Sequence, residues 1–297
     1  MRHPGPPDRA QPATDSCPSY VEFVDRSNPR PELRPLHPTL NTAVKAARRA
    51  GRVIVRSFDR GDTLAVESKG FNDYVTEVDQ AAEAEIIEVL RHAYPEHAIL
   101  AEESGEHTGD EHQWVIDPLD GTTNFLHGFP QCAVSIALRR RGRIEHAVVF
   151  DPLRDELFTA SAGAGAHLNN RRIRVSRARK LDQALLGTGF PFRSMAQLDS
   201  AIQTLKELMP RTHGIRRPGS AALDLAYVAC GRLDGFWETG LKPWDLAGGC
   251  LLIREAGGLL SDLDNRDGYM ESGDIVAGNP GIHPLLLAVV QKHYHRS

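Results

Sequence analysis

The chain of 297 residues lacks the cysteine patterns of disulfide-rich and zinc-binding proteins. Its four cysteines stand far apart, with no Cys-x-x-Cys pair and no Cys/His spacing typical of a zinc site. They predict a reduced, cytoplasmic protein without a disulfide. No hydrophobic run approaches the about 18 residues of a transmembrane helix, and no signal-peptide core follows the first residues.

Several catalytic signatures are also missing. The sequence contains no G-x-x-x-x-G-K-[ST] phosphate loop, no G-x-S-x-G nucleophile elbow and no H-E-x-x-H zinc motif. These absences leave nucleotide-binding, serine-hydrolase and zinc-protease functions with little support. The net charge of −4 provides no general attraction to nucleic acid or to an anionic membrane.

Residues 1–36 differ from the rest of the chain. They hold eight of the 19 prolines, carry balanced charges and show neither helix nor strand periodicity. We expect a disordered, proline-rich tail there, followed by one catalytic domain over residues 37–297. A change in the pattern near residue 180 indicates a sub-domain break.

The spacing of apolar residues predicts the elements of that domain. An amphipathic helix begins near Leu40, and a second runs from Thr76 to Ala93 with Thr76 as its cap. Mostly antiparallel strands follow, with hairpins at "CAVSIALRRRGRIEHAVVFD" and "ELFTASAGAGAHLN". Helices near 197–209, 220–230, 244–257 and 282–294 then alternate with short strands. This order predicts layered sheets and helices, in the α/β (α+β) class, rather than a single Rossmann sheet.

The segment "WVIDPLDGTTNF" places two carboxylates where a buried strand ends. Asp117 and Asp120 are three residues apart across a proline-stiffened turn, so both side chains and the carbonyl of Leu119 can converge. Oxygen-only ligands of this kind suit Mg²⁺. A tight solvated loop is the simpler alternative, because Asp-Pro and Asp-Gly are strong turn signals.

Two further carboxylates also lie at the end or the start of a predicted element. Glu102 in "AEES" ends an earlier apolar segment, and Asp245 in "KPWDLAGG" stands at a predicted helix start. Four carboxylates from separate elements around one point would form a two-metal site for phosphate-ester chemistry. From the pattern alone, turns and helix caps explain these residues about equally well.

The chain resembles the inositol monophosphatase family, within the lithium-sensitive, metal-dependent phosphatase superfamily. "DPLDGTTNF", "WDLAGG" and "AEES" are similar to three of its motifs, and the likeness runs from about His37 to the C-terminus. "KGFNDYVTEVDQAAE", "GFPF" and "RRPGSAALDLAYVACGRLDGFWE" resemble the bacterial SuhB-type members in particular. The resemblance implies a layered αβαβα sandwich and a homodimer.

It also implies a set of metal ligands. Glu102, Asp117 and the Leu119 carbonyl would hold a first Mg²⁺, and Asp117, Asp120 and Asp245 a second. The resemblance leaves open whether a weaker third ion binds through water with help from Glu102. Mg²⁺ dependence and lithium sensitivity follow from the same likeness.

The family's catalytic and substrate contacts map onto further positions. Asp79 and Thr122 match the pair that orients the attacking water, and Lys69 matches a lysine near the metals. The phosphate would rest on the amides of Gly121 and Thr122. The inositol ring would meet residues matched to the family's substrate region, namely Arg216, Gly219, Ser220, Ala221 and Glu238, beside Leu119, Asp120 and Asp245. Two positions depart from the family pattern: Pro218 replaces a common threonine, which puts ring specificity in doubt, and Gly249 replaces a common alanine.

The expected activity is Mg²⁺-dependent hydrolysis of myo-inositol 1-phosphate to inositol and phosphate by in-line attack of an activated water. Another small ester, such as a histidinol, sugar or nucleotide phosphate, is the alternative within the superfamily. A regulatory protein-interaction role is the alternative from another class. Arg48, Arg49 and Arg52 on the first helix, together with the proline-rich tail, would serve that role. A solvated helix face explains the arginines more simply, and no feature of the sequence supports a nucleic-acid or other protein partner.

Overall fold

The computed structural model describes residues 36–60, 66–70, 73–191 and 195–294. The tail predicted over residues 1–36 lies outside these ranges except for Leu36, whose side chain packs against the core. Residues 36–297 form one compact unit. None of the helices within the described ranges has the length and apolar character needed to cross a membrane.

Two long helices begin the domain. Helix α1 (Pro38–Arg60) buries a stripe of small residues, including Ala43, Ala47 and Ala50, against the core. Helix α2 (Glu77–Ala93) begins at Thr76, whose hydroxyl accepts hydrogen bonds from the amides of Val78 and Asp79. The Asp79 carboxylate in turn accepts the Thr76 amide at 2.8 Å, which completes a capping box. Both helices predicted from the sequence are confirmed.

An eight-stranded sheet packs beneath these helices. Its strand order is β10-β9-β8-β7-β6-β5-β3-β4, and only the β3–β5 pair is parallel. The strands are β3 (Ala98–Ala101), β4 (Gly105–His107), β5 (His112–Asp120), β6 (Ala133–Arg140), β7 (Arg143–Asp151), β8 (Glu156–Ser161), β9 (Gly165–Leu168) and β10 (Arg171–Arg172). The β6–β7 and β8–β9 hairpins confirm those predicted. A separate two-stranded sheet pairs β1 (Val66–Gly70) with β2 (Asp73–Thr76).

A second, five-stranded sheet follows after residue 180, in the order β12-β11-β13-β15-β14. It consists of β11 (Leu185–Thr188), β12 (Gly214–Arg216), β13 (Gly235–Glu238), β14 (Leu259–Ser261) and β15 (Ile275–Gly278). The accompanying helices are α3 (Thr122–Leu126), α4 (Leu198–Leu208), α5 (Ala221–Ala229), α6 (Pro243–Glu255), α7 (Tyr269–Ser272) and α8 (His283–His293). The change of sheet falls where the sequence pattern changes.

The helices and sheets stack in five layers. Helices α1 and α2 cover the outer face of the large sheet, α5 and α6 lie between the two sheets, and α4 and α8 cover the far face of the small sheet. Gly249 allows close contact within the central layer, because a Cβ there would lie 2.3 Å from Cβ of Leu225 on α5. The arrangement is the αβαβα sandwich that the family resemblance implies, and it confirms the layered sheets and helices predicted from the sequence pattern.

Candidate metal and phosphate site

A β-bulge at the end of β5 brings Asp117 and Asp120 to the same side of the large sheet. Asp117 pairs with Ser135 and Asp120 with Ala133, so β5 carries one more residue than β6 across this step. In a regular strand, residues three apart point to opposite faces. The extra residue of a bulge reverses that alternation, and both carboxylates face one point.

Asp245 reaches the same point from the first turn of α6. Its Oδ2 accepts the amide of Lys242 at 2.7 Å, and Pro243 begins the helix in the position where proline is favoured. Carboxylate oxygens of Asp117, Asp120 and Asp245 lie within 4.8 Å of one another. Three of the four carboxylates predicted to converge therefore do so.

Glu102 completes the group from the end of β3. Because β3 and β5 run parallel as neighbours, their carboxyl ends meet at one edge of the sheet. The Glu102 amide donates to the carbonyl of Ile116 at 3.1 Å, and its side chain contacts Asp117. The buried carboxylate of Glu83 holds the following turn, accepting the amides of Glu103 at 2.9 Å and Ser104 at 2.8 Å.

Burial and mutual repulsion make this group strongly unfavourable as free anions. Burial raises the pKa of Asp117 well above its ordinary value, and the neighbouring carboxylates Glu102, Asp120 and Asp245 raise it further. Burial, then the charge of Asp245, raises the pKa of Asp120 to about 7 despite hydrogen bonds from Ser220 and Ala222. Closely placed carboxylates of this kind need a compensating cation to remain ionised.

The donor set fits Mg²⁺. All the side-chain ligands are hard carboxylate oxygens, and the Leu119 carbonyl lies in the same turn, within 3.1 Å of the Thr122 hydroxyl. Asp117 Oδ1 accepts the amide of Leu119 at 3.0 Å, which fixes the turn that carries this carbonyl. The residues present therefore suit a divalent cation held by oxygen.

Asp79 and Thr122 form a hydrogen-bonded pair beside the carboxylates. The Thr122 hydroxyl donates to Asp79 Oδ1 at 3.0 Å. Thr122 is the first residue of helix α3, directly after the bulge. Asp79 is only 1% exposed, and burial raises its pKa, partly offset by hydrogen bonds from Thr76 and Thr122. The cap of α2 therefore also serves as the support for Thr122.

Gly121 connects the bulge to α3 in a conformation that favours glycine. Its φ is +99°, and a Cβ there would lie 2.8 Å from the carbonyl oxygen of Gln131. Asn124, on the first turns of α3, donates to the carbonyls of Gln131 at 2.8 Å and Pro218 at 2.9 Å. The DGTTN turn is thus tied to the loop that contains Pro218.

That loop joins the site through the start of α5. The Ser220 hydroxyl donates to Asp120 Oδ2 at 2.5 Å, and the Ala222 amide donates to the same oxygen at 2.8 Å. Ala221 lies between them, and Gly219 precedes them with a φ of +89°. Three of the predicted substrate residues, Gly219, Ser220 and Ala221, therefore lie beside the Asp120 carboxylate, together with Ala222, which was not predicted.

The remaining predicted residues have different positions. Glu238 lies at the end of β13, with its carboxyl group against Gly189. Arg216 is exposed and donates to the neighbouring carbonyl of Ile215 at 3.2 Å, whereas Arg217 lies over the Phe190 ring at 5.7 Å. Lys69 is on β1, and its side chain lies outside the described part of the structure.

Sequence reasoning missed Glu83 and Asn124, which support the site, and the burial of Asp224 near Asp120. Glu83 is one turn beyond Asp79 on α2 and almost fully buried, and that helical spacing was the available signal. Asn124 is within the DGTTN turn itself. Asp224 falls in the predicted helix 220–230, among apolar residues, and its burial was not expected.

Two histidines, His107 and His112, belong to strands of the large sheet. His107 ends strand β4, where it pairs with Ile99 of β3, and His112 begins β5, where it pairs with Arg140 of β6. Donor atoms of His97, Asp110 and His112 lie within 4.8 Å of one another. The His97 and His112 imidazoles stack at 4.6 Å with only 16° between their planes, so the lone pairs of their ring nitrogens lie in nearly parallel planes.

The basic face of α1 is largely neutralised. Arg48 pairs with Asp155 at 3.0 Å, and Arg49 pairs with Glu85 and Glu88 on α2. Exposed ion pairs of this type contribute little to stability, but they reduce the positive charge offered to a polyanion.

The layered fold and the carboxylate site are consistent with the class of phosphatases that have an αβαβα sandwich. The family model for the inositol monophosphatase family matches residues 35–295, and the chain belongs to this family.

Individual relatives agree with this assignment. Over 264 residues the chain is 55% identical to a Pseudomonas aeruginosa protein named Nus factor SuhB, covering 87% of this chain and 97% of the relative. The crystal structure of the extragenic suppressor protein SuhB from Bartonella henselae matches with a TM-score of 0.83 and 45% identity, covering 86% of this chain and 98% of that one. An inositol monophosphatase from Anabaena matches with a TM-score of 0.76 and 41% identity, over 86% and 96% of the two chains.

Proposed function

We propose that the chain is a Mg²⁺-dependent phosphomonoesterase that hydrolyses myo-inositol 1-phosphate to inositol and phosphate. The convergence of Asp117, Asp120 and Asp245 beside the Asp79–Thr122 pair carries the proposal. The first three side chains offer a cation site, and the pair offers a place to orient a water molecule. Membership of the inositol monophosphatase family supports the phosphate ester as substrate.

We propose the metal ligands that the family resemblance implies. Glu102, Asp117 and the Leu119 carbonyl would hold one Mg²⁺, and Asp117, Asp120 and Asp245 a second. When bound, the ions supply positive charge that acidifies a coordinated water and stabilises the anionic transition state. A third, weaker ion near Glu102 is part of the same proposal.

Thr122 and Asp79 would position the nucleophilic water. The Thr122 hydroxyl donates its proton towards Asp79 Oδ1, which leaves an oxygen lone pair free to accept a hydrogen bond from water. Because Asp79 is buried and bonded by Thr76, this pair is held in one geometry. Such fixed orientation is the main contribution that a protein makes to phosphoryl transfer.

The phosphate and ring would occupy the opposite side of the turn. The amides of Gly121 and Thr122 would bind phosphate oxygens, and Ser220, Ala221 and Glu238 would meet the ring hydroxyls. Arg217 rather than Arg216 lies beside this region, since its Nη1 would be 2.9 Å from a Cβ built at Gly219.

Steady-state kinetics with a panel of phosphate esters would test the proposal. Myo-inositol 1-phosphate should give the highest kcat/KM, with activity lost in EDTA, restored by Mg²⁺ and inhibited by Li⁺. Histidinol, sugar and nucleotide phosphates are the competing substrates in the panel. A large preference for one of them would replace the substrate, and undiminished hydrolysis in EDTA would remove the metal mechanism.

We also propose that the enzyme is a homodimer. Helix α4 and its flanking turns carry exposed apolar side chains at Met195, Leu198, Ile202 and Met209, which a partner surface would cover. Sedimentation velocity should show a dimer, which substitution of Ile202 and Met209 by glutamate should weaken. A monomer at all concentrations would refute it.

A binding role is a second candidate function, favoured by the name Nus factor of the Pseudomonas aeruginosa relative. It would require a macromolecular partner and no turnover. An Asp120→Asn variant separates the two functions in cells that lack the native protein. Loss of the cellular phenotype with this variant supports the enzyme, whereas full retention of the phenotype supports the binding role.

A further inference from the structure

Residues 171–180 form a basic strip on the surface of the domain. The basic strip contains six cationic side chains and no acidic one, namely Arg171, Arg172, Arg174, Arg177, Arg179 and Lys180. All six of these residues are exposed. No aspartate or glutamate occurs between Glu156 and Asp182, although the whole chain has a net charge of −4. The net charge of the chain therefore conceals a local excess of positive charge.

The basic strip lacks the acidic partners that neutralise helix α1. On α1, Arg48 and Arg49 form ion pairs with carboxylates of neighbouring elements. Within the part of the chain that the structure describes, no carboxylate forms an ion pair with a cation of the basic strip. The carboxylate of Glu255 is close to β9, but its two oxygens accept the amides of Gly163 and Gly165, each at 2.7 Å. The six positive charges are therefore available to an external anion.

The other residues of the basic strip hold its main chain in place. Ile173 and Val175 pack against the core, and their amides donate to the carbonyls of Ala166 at 2.9 Å and Ala256 at 3.3 Å. The Ser176 hydroxyl donates to a carboxylate oxygen at 2.5 Å. A main chain that is already ordered lowers the entropy cost of presenting the cations to a ligand.

The arginines at the start of the basic strip are regularly spaced. Arg172 and Arg174 are exposed, whereas Ile173 and Val175 alternate with them and pack against the core. This alternation is typical of a strand, in which side chains on one side stand about 7 Å apart. Charged residues also protect edge strands from aggregation, and β10 is an edge strand of the large sheet. That role explains Arg171 and Arg172 in β10, but not the four cations that follow the strand.

We propose that the basic strip binds the phosphodiester backbone of a single-stranded nucleic acid, at a surface separate from the carboxylate site. A linear row of cations can follow one flexible strand, and arginine and lysine side chains are common phosphate contacts. The basic strip contains no aromatic side chain on which a base could stack, so we expect binding without preference for base sequence. Five strand spacings separate β10 from β5, which places the two surfaces about 24 Å apart across the sheet.

Fluorescence anisotropy with labelled oligo(U) and oligo(dT) of about 20 nucleotides would test the proposal. If six phosphates are contacted, a plot of log Kd against log salt concentration should have a slope of about 4. This slope corresponds to a loss of affinity of about 300-fold between about 50 and 200 mM salt. The triple variant Arg172→Gln/Arg174→Gln/Arg177→Gln should reduce the slope to about 2 and weaken binding about tenfold or more at about 50 mM salt.

The triple variant Arg48→Gln/Arg49→Gln/Arg52→Gln is the matched control, because it changes the net charge by the same amount. Its Kd for either oligonucleotide should stay within about threefold of the wild type, since Arg48 and Arg49 already have acidic partners. If the triple variant of the basic strip does not fold by circular dichroism, Arg174→Gln alone should lower the slope by about 0.7.

Equal losses of affinity in the two triple variants would indicate a general charge effect and overturn the proposal. A slope that the substitutions in the basic strip do not change would also overturn it. Tighter binding to phosphatidylserine vesicles or to poly-glutamate than to the oligonucleotides would overturn the assignment to nucleic acid, in favour of a membrane or an acidic protein. None of these measurements involves turnover, so their outcome is independent of the proposed phosphatase function.

Discussion

Replacing Asp120 by asparagine should stabilise the metal-free protein while abolishing catalysis. Asp120 shares the site with Asp117 and Asp245, at oxygen separations of up to 4.8 Å. Asparagine keeps an oxygen that can accept the hydrogen bonds of the Ser220 hydroxyl and the Ala222 amide, and it removes only the charge. The substitution therefore isolates the repulsion between carboxylates.

The size of the effect can be estimated from this separation. Two unit charges 4.8 Å apart repel by about 3.5 kcal/mol at an effective dielectric constant of 20. Asp120 is only partly buried, so screening by water reduces the gain to about 2 kcal/mol. For a protein of this size that gain corresponds to about 4 to 8 °C in Tm.

Thermal unfolding at pH 8 in EDTA and in Mg²⁺ provides the assay. In EDTA the variant should melt above the wild type, and in Mg²⁺ the wild type should gain more than the variant, because the variant has lost a ligand. Asp182→Asn, at an exposed residue on a short turn, is the matched control and should change neither curve. A variant that melts below the wild type in EDTA, or that gains equally from Mg²⁺, would refute the carboxylate cluster.

Three further predictions follow from single contacts. The metal-free wild type should lose stability as the pH rises from about 4 to 7, because the native state holds a proton on Asp120 up to about pH 7 while the unfolded state releases it near 3.8. Asp120→Asn should show a shallower decline in Tm over this pH range. Parallel curves of Tm against pH for the two proteins would contradict the raised pKa of Asp120. Thr122→Val should lower kcat by about a hundredfold, because it removes the hydroxyl that is hydrogen-bonded to Asp79, whereas Thr122→Ser should keep kcat within tenfold of the wild type. Equal losses of kcat in the two variants would contradict a role of the hydroxyl in catalysis. Gly121→Ala should lower the free energy of unfolding in urea by about 2 kcal/mol and reduce kcat/KM, since φ is +99° and the new Cβ would meet the Gln131 carbonyl. Gly142→Ala, at a φ of +78° with open space around it, is the control for backbone conformation alone. An equal loss of stability in both variants would rule out the steric contribution.

Local patterns predicted much of the fold. The apolar spacing of α1, the Thr76–Asp79 capping box of α2 and the two hairpins of the large sheet all rest on residues close in sequence. Strand β4 was missed because its three residues, Gly-Glu-His, are polar and become a strand only by pairing with β3. An edge strand of this kind depends on its neighbour rather than on its own composition.

The candidate site also has features that the sequence predicted and features that it did not. The motifs named Glu102, Asp117, Asp120 and Asp245 as ligands, since hard cations require carboxylates and few other residue types could serve. The bulge that turns Asp117 and Asp120 to one side was not visible, because it is defined by register against β6. Glu83 and Asn124 were missed for a related reason: their partners are backbone groups about 20 and 94 residues away.

The sequence by itself determined which residue types are available for metal and phosphate chemistry, and which segments become helices and hairpins, because both depend on chemical identity and short-range spacing. Only the tertiary structure decided that Asp117, Asp120 and Asp245 share one point and that the carboxyl group of Asp224 is buried. Repulsion and burial act through distance in space, and the packing of α5 and α6 between two sheets sets those distances.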